Sequence, residues 1–200
     1  MRTGLVLVAA AALVVSLGCR SYASPKVYGP WEEGLTLAFE NPSQPEPQRY
    51  QDRFQIRVAR ARMDPGKPSL IQLDMTSSRG QLSVLVRHQD GGVAMVTEDG
   101  RVLSQPLPPG FPAVTEWKNG DWTCRVVGRA TWEGATLLPA TSDPVGVWVE
   151  ARSASAPARR TLYLPNLGEV ESREEQKGAW VPVNRLVARG FSDLPALNRP

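Results

Sequence analysis

The sequence predicts a mainly β protein, one large curved antiparallel sheet or an open half-barrel with at most one or two short helices. Three observations carry this. Short runs of alternating apolar and polar residues recur along the chain, roughly nine to eleven of them. Turn chemistry such as Asp-Gly and Asn-Gly separates the runs. No long segment has the 3.6-residue period of an amphipathic helix, and 17 Gly and 18 Pro among 200 residues are too many turn formers for a helical bundle.

Composition removes several function classes. With 22% charged and 42% hydrophobic residues the chain is neither a disordered polyelectrolyte nor a polytopic membrane protein. Two Cys and one His leave no room for a zinc ribbon, a disulfide framework or a multi-His centre, so no metal or cofactor is expected. The net charge is +3, from 23 basic and 20 acidic residues. The basic residues are mostly dispersed arginines, so nucleic acid is not an expected partner.

The chain opens with a short positive stretch, Met1 to Gly4, and an apolar run from Leu5 to Leu17. A spanning helix needs about 20 residues, so this run reads as a signal-peptide core. Val15-Ser16-Leu17-Gly18-Cys19 then resembles a bacterial lipobox, with Ser16 in place of the commoner Leu. The resemblance implies cleavage before Cys19, a diacylglyceryl thioether on its sulfur and an acylated amine. Arg20 stands where Asp would hold a Gram-negative lipoprotein in the inner membrane. The implied address is the outer membrane, facing the periplasm. The expected organisation is a signal peptide over 1–18, a tether over 19–30, one β-rich domain over 31–191 and a tail over 192–200.

Leu35, Leu37 and Phe39 alternate as a first strand, and the prolines of 42–47 make a loop. Phe54, Ile56 and Val58 alternate on even positions. Arg60 and Arg62 then take the even positions and Ala59, Ala61 and Met63 the odd ones. One extra residue near Val58-Ala59, a β-bulge, keeps one face buried through this flip. The alternative turns both arginines inward to bind an anion, which is costly without carboxylate partners. Asp64-Pro65-Gly66 ends the strand.

A meander follows. Ile71, Leu73 and Met75 alternate before the Ser77-Ser78-Arg79-Gly80 turn. Leu82, Val84 and Val86 lead to Asp90-Gly91-Gly92, and Val93, Met95 and Thr97 lead to Asp99-Gly100. A two-residue loop there would set Glu98 opposite Arg101. After a Pro-rich crossing, Asn119-Gly120 predicts a type I′ hairpin with Lys118 opposite Asp121 and Trp117 opposite Trp122. Trp122, Cys124, Val126, Ala130 and Trp132 then share one face, with Val127 an exception on the other. Val145, Val147 and Val149 form a strand with Trp148 and Glu150 opposite, and Leu162 and Leu164 form another. Residues 169–177 read as a solvated hairpin, and 180–191 as a last edge strand that tolerates Pro182.

Thr161 to Val170 contains Tyr163-x-Pro165-x-x-Gly168-x-Val170, followed by Trp180-Val181-Pro182-Val183. This pattern resembles the closing strands of a diffuse group of bacterial envelope proteins similar to the lipoprotein carriers and acceptors LolA and LolB. The resemblance covers about 30 residues and implies a half-open antiparallel barrel over a hydrophobic cavity. The long lid helices of those carriers have no counterpart in this sequence.

Catalytic signals are scarce. The chain has no Gly-rich phosphate loop, no His-Glu-x-x-His and no Gly-x-Ser-x-Gly. Glu32-Glu33 and Glu174-Glu175 sit in surface-like contexts, and His88 reads as a solvated turn residue beside Asp90. Cys124 reads as a buried strand residue, since a nucleophile needs a nearby base and the one His, His88, lies on another strand with no pattern linking the two. The expectation is a non-catalytic lipid-anchored envelope protein, held to the membrane through Cys19. It binds a partner protein or an apolar ligand in the concavity of its sheet. Trp122, Val126, Trp132, Val147 and Met95 are the candidate concave face. The alternative is an envelope hydrolase with a dispersed site.

Overall fold

The computed structural model describes residues 28–30, 32–51, 53–62, 68–134 and 143–191. Cys19 and the Asp64-Pro65-Gly66 turn lie outside them, as do the tail over 192–200 and most of the tether.

Twelve strands form one antiparallel sheet. They are β1 (Thr36–Glu40), β2 (Phe54–Arg62), β3 (Ser69–Ser77), β4 (Gly80–Gln89), β5 (Gly92–Val96) and β6 (Val102–Leu107), then β7 (Glu116–Asn119), β8 (Trp122–Thr131), β9 (Val145–Arg152), β10 (Arg159–Leu164), β11 (Gly168–Gln176) and β12 (Ala179–Gly190). A single helical turn, α1 (Gln48–Gln51), lies between β1 and β2. Neighbours in sequence are neighbours in the sheet, and β1 also pairs with β12. The meander therefore rolls into a barrel with one unsealed seam, between β6 and β7. The last strand is not an edge. Pro182 is accommodated because the register slips beside it, Ser172 facing Asn184 and Arg173 facing Pro182.

Side chains alternate across a strand, so the register carries one face round the sheet. Leu37, Ile56, Met75 and Leu82 stand in line across β1 to β4. Val126, Val149, Thr161, Ser172 and Asn184 do so across β8 to β12. This is the inner face. It supplies most of two core clusters, one around Leu37, Phe39, Val58, Ile71 and Leu186, the other around Leu107, Phe111, Cys124, Val147 and Val149. Each such side chain contributes about 1.5–3 kcal/mol by leaving water.

The parity flip in β2 is a bulge. Val58 faces Leu73 and Arg60 faces Gln72, which leaves Ala59 extra. Ala61 stays inside while Arg60 and Arg62 are exposed, so the inward-arginine alternative fails. In β8 the sequence reading missed a second bulge. Val126 faces Val149 and Gly128 faces Trp148, with Val127 extra. Past it the faces exchange. Trp132 and Trp148 therefore lie on the outer side, where Trp132 is buried beside Leu162 and Leu164.

Two predicted hairpins close differently. The Asp99-Gly100 loop has three residues. Gly100 N–H donates to Thr97 O and Thr97 N–H to Arg101 O, both at 2.9 Å, so Thr97 rather than Glu98 faces Arg101. The next hairpin turns on Gly120-Asp121, because Asn119 faces Trp122 and Trp117 faces Cys124. Gly120 has φ +59 at the first central position, which makes the turn type II′ rather than I′. Asn119 is needed elsewhere. Its Oδ1 accepts from Gln105 N–H at 2.8 Å and from Ser104 Oγ at 3.1 Å, while Trp117 Nε1 donates to Gln105 O at 3.3 Å. Side chains thus bridge the seam where a backbone ladder is missing. Gly120→Val is expected to lower stability by about 1–3 kcal/mol, since a β-branched residue fits positive φ poorly. An unchanged urea midpoint would refute this turn assignment.

The outer wall is wet and ionic. Glu150 accepts from Arg125, Arg152 and Arg160 at 2.7–2.8 Å. Glu171 pairs with Arg173 at 2.6 Å and Arg185 at 3.2 Å. A membrane-spanning barrel has the opposite character, with an apolar band outside.

Candidate functional site

The two ends of the barrel differ. One is capped from within. Tyr28 is buried edge-on against Phe111 at 4.8 Å, and Phe111 lies edge-on to Trp117 and Tyr163. Gly29 passes beside His88 and Gly168. The barrel thus takes in Tyr28, Gly29 and Pro30, which the sequence reading assigned to the tether. Their single aromatic ring carries no periodicity, so local pattern gave no signal. Gly168, with φ +80, answers to the Gly of the Tyr-x-Pro-x-x-Gly-x-Val pattern. A Cβ there would stand 3.2 Å from Gly29 Cα and 3.3 Å from Tyr28 O.

His88 belongs to this cap. It is 5% exposed and faces Ser69 and Val93, so the expected solvated turn residue is in fact interior. Burial lowers its pKa from 6.5 to about 3. A His with a depressed folded pKa supports the fold fully above pH 6.5 and progressively less below it, because the unfolded chain takes the proton first. Unfolding free energy should fall by about 2–3 kcal/mol between pH 6.5 and 4.5 on this account. His88→Gln should flatten that slope in urea titrations. An identical slope in both proteins would show that other groups cause it.

The opposite end is the mouth. A cavity of about 620 Å³ opens there, and its walls are unlike. Phe54, Met75 and Leu82 make an apolar side on β2 to β4. Arg159, Glu174 and Asn184 make a polar side on β10 to β12, with Arg159 and Glu174 paired at 2.8 Å. The Ser77-to-Gln81 hairpin forms the rim.

The polar side continues inward. Asn184 faces Ser172, Ser172 faces Thr161, and Tyr163 faces Glu169. Burial raises the Glu169 carboxyl, an effect partly offset by Arg159, Ser172 and Asn184. Burial and then the Glu169 charge push the Tyr163 phenol up. Both groups are therefore held toward their neutral, hydrogen-bonding forms. Burial also raises Cys124, against a smaller opposite effect of Lys118, and so keeps the thiol protonated.

Of the predicted concave residues, Trp122, Val126 and Val147 reach the inner face together with Cys124. Met95 is on the inner face too, half-buried on β5 opposite Val86, which itself faces Ile71. Trp132 is excluded by the β8 bulge. The sequence reading missed Arg159, Glu169, Glu174 and Asn184. Val170 is the one apolar residue over 169–177, and past it polar residues alternate with polar residues, so no hydropathy pattern marks which face turns inward. Glu174 is not the surface residue expected.

The barrel is similar to the crystal structure of a predicted exported protein with a YmcC-like fold from Bacteroides fragilis. The TM-score is 0.50 at 15% identity, over 82% of this chain and 99% of the other. A second similar structure is a predicted lipoprotein of Parabacteroides distasonis, with TM-score 0.47, 11% identity and the same coverage. At these identities the likeness is one of fold. No family model and no curated protein matches the sequence.

The arrangement suits binding. An apolar wall facing a polar wall can take an amphipathic molecule, tail against Phe54, Met75 and Leu82, head against Arg159, Glu174 and Asn184. Among the described residues no three His, Cys, Asp or Glu side chains come together in a metal-holding group.

Proposed function

We propose that the protein is a non-catalytic, lipid-anchored lipoprotein of the cell envelope that holds an apolar or amphipathic ligand in the mouth of its barrel. The two-sided cavity carries this reading. The anchor is Cys19, and the membrane is the outer one on its periplasmic side, by the residue after the cysteine. The exported protein of similar fold agrees with an envelope address.

The half-barrel carriers that the C-terminal pattern resembles suggest the same kind of cargo. Here α1 is four residues long, so it offers no lid comparable to theirs. The hydrolase alternative has less support. Glu169 and Glu174 are five residues apart on β11, about 16 Å along a strand, whereas glycosidase carboxylates lie about 5–10 Å apart. His88 is buried at the far end of the barrel.

Two measurements test the reading. Cys19→Ala should abolish acyl labelling and release the protein from the membrane fraction. Continued labelling and membrane binding would refute the anchor. A dansylated fatty acid should bind the soluble domain saturably, with emission shifted to the blue. Leu82→Glu should weaken that binding without unfolding the domain, because Leu82 is 59% exposed at the mouth. No saturable binding, or binding indifferent to Leu82→Glu, would refute the site.

A further inference from the structure

The chain enters its own domain at the capped end. Tyr28 packs on Phe111, which follows β6. Gly29 lies against His88 at the end of β4, and Tyr28 to Pro30 close over Gly168 at the start of β11. Each of these strands has its other end at the mouth. Cys19 precedes Tyr28 by nine residues, a reach of at most about 30 Å. The nine- and ten-residue strands β3, β4 and β8 are themselves about 30 Å long. Barrel strands tilt by about 35–45°, so a tether run inside the barrel would spend roughly 23 Å of that reach before the mouth and have little left to enter a bilayer. Leaving from the capped end, it keeps its whole length for reaching the membrane.

We infer that the capped end is the surface that meets the membrane, and that the mouth opens away from it. The inference rests on the reading of Cys19 as the anchor. The partner is the headgroup layer of the bilayer that holds the acyl chains. The exposed chemistry of the capped end fits such a layer. Phe191 is 59% exposed and Val114 37% exposed. Arg60 is exposed there and available to lipid phosphates. Glu32 pairs with Arg189 at 3.5 Å and Glu33 accepts from the Ala61 N–H at 3.3 Å, while Asp90 and Glu133 are exposed at the same end, so the contact rests on apolar side chains and headgroup hydrogen bonds and not on a net positive charge. A ligand in the mouth then exchanges with something arriving from the aqueous side, not with the bilayer beneath the protein.

The test uses the full lipidated protein in phosphatidylethanolamine–phosphatidylglycerol vesicles. Single exposed cysteines, Ala113→Cys at the capped end and Ser78→Cys at the mouth rim, carry a fluorophore, and brominated lipids serve as quenchers. The label at 113 should lose most of its emission in the floated fraction and the label at 78 none. Arg60→Glu together with Phe191→Glu should reduce the quenching at 113 while flotation persists. A floated protein whose label at 78 is quenched as much as, or more than, that at 113 overturns the orientation and leaves the anchor standing. Protein that fails to float overturns the anchor, and this inference with it.

Discussion

Gly92→Ala should be among the most damaging single changes in this protein, a loss of about 2–4 kcal/mol. A Cβ on Gly92 would stand 2.6 Å from Pro109 N, 2.7 Å from Pro108 C and 2.8 Å from Pro108 O. All three are backbone atoms, so no side chain can swing aside. The crossing from β6 to β7 would have to lift. Its Phe111 would then leave Tyr28, and Leu107 would leave its fully buried place in the same cluster. The effect should appear as a lower urea midpoint together with faster proteolysis after Pro30. Gly178→Ala is the control for a glycine with positive φ and open space around it, and should cost about 1–2 kcal/mol. If both variants unfold at the same midpoint, the close approach of the crossing to β5 is refuted.

Glu150→Gln should cost about 2–3 kcal/mol at pH 7. The carboxylate is completely shielded by the side chains around it, and three guanidiniums converge on it. Burial alone would raise its pKa, but the hydrogen bonds from Arg152, Arg160 and Arg125 reverse this and hold it at about 2. Glutamine keeps the shape and removes the charge that the arginines share. Exposure of the arginines to solvent moderates the loss, which is why the figure stays below that for a deeply buried pair. The sign with pH follows. A depressed carboxylate supports the fold above its ordinary pKa of 4.5, and that support is lost as pH falls toward 2. Wild-type stability should therefore drop over this window while the variant, already lacking the term, changes less. Parallel curves would show that the arginines do not act through Glu150.

The sequence disclosed the barrel through period-two patterning, and disclosed it best where one face is apolar. The flip after Val58 was readable as a bulge because arginines changed sides there. The bulge at Val127 was not, because Val127 is apolar and Ala130 and Trp132 keep an apolar pattern on either face. Gly128 was the available hint, since a glycine inside a strand often marks a bulge. The Asn119-Gly120 signal named the right hairpin and missed its register by one step. That choice is tertiary, for Asn119 stays in the strand to bridge the seam to Gln105. The polar side of the mouth was hidden for a related reason. Residues 171–177 are hydrophilic on both faces, so only the register shift at Val170 and the curvature of the closed sheet decide that Glu169 and Glu174 turn in while Glu171 and Glu175 turn out.

The pairing of β1 with β12 also sets an order of events. Thr36 faces Gly190 and Glu40 faces Arg185, a separation in sequence of almost the whole domain. A chain made from its N-terminus must therefore keep one side of its first strand waiting until the last has been delivered. Such distant partners make folding slow relative to proteins built from local contacts. The waiting edge, Leu37-Ala38-Phe39, is apolar and suited to pairing with the wrong neighbour. The ring is completed by its final dozen residues, so a chain cut short before Ala179 lacks the strand that joins its two halves.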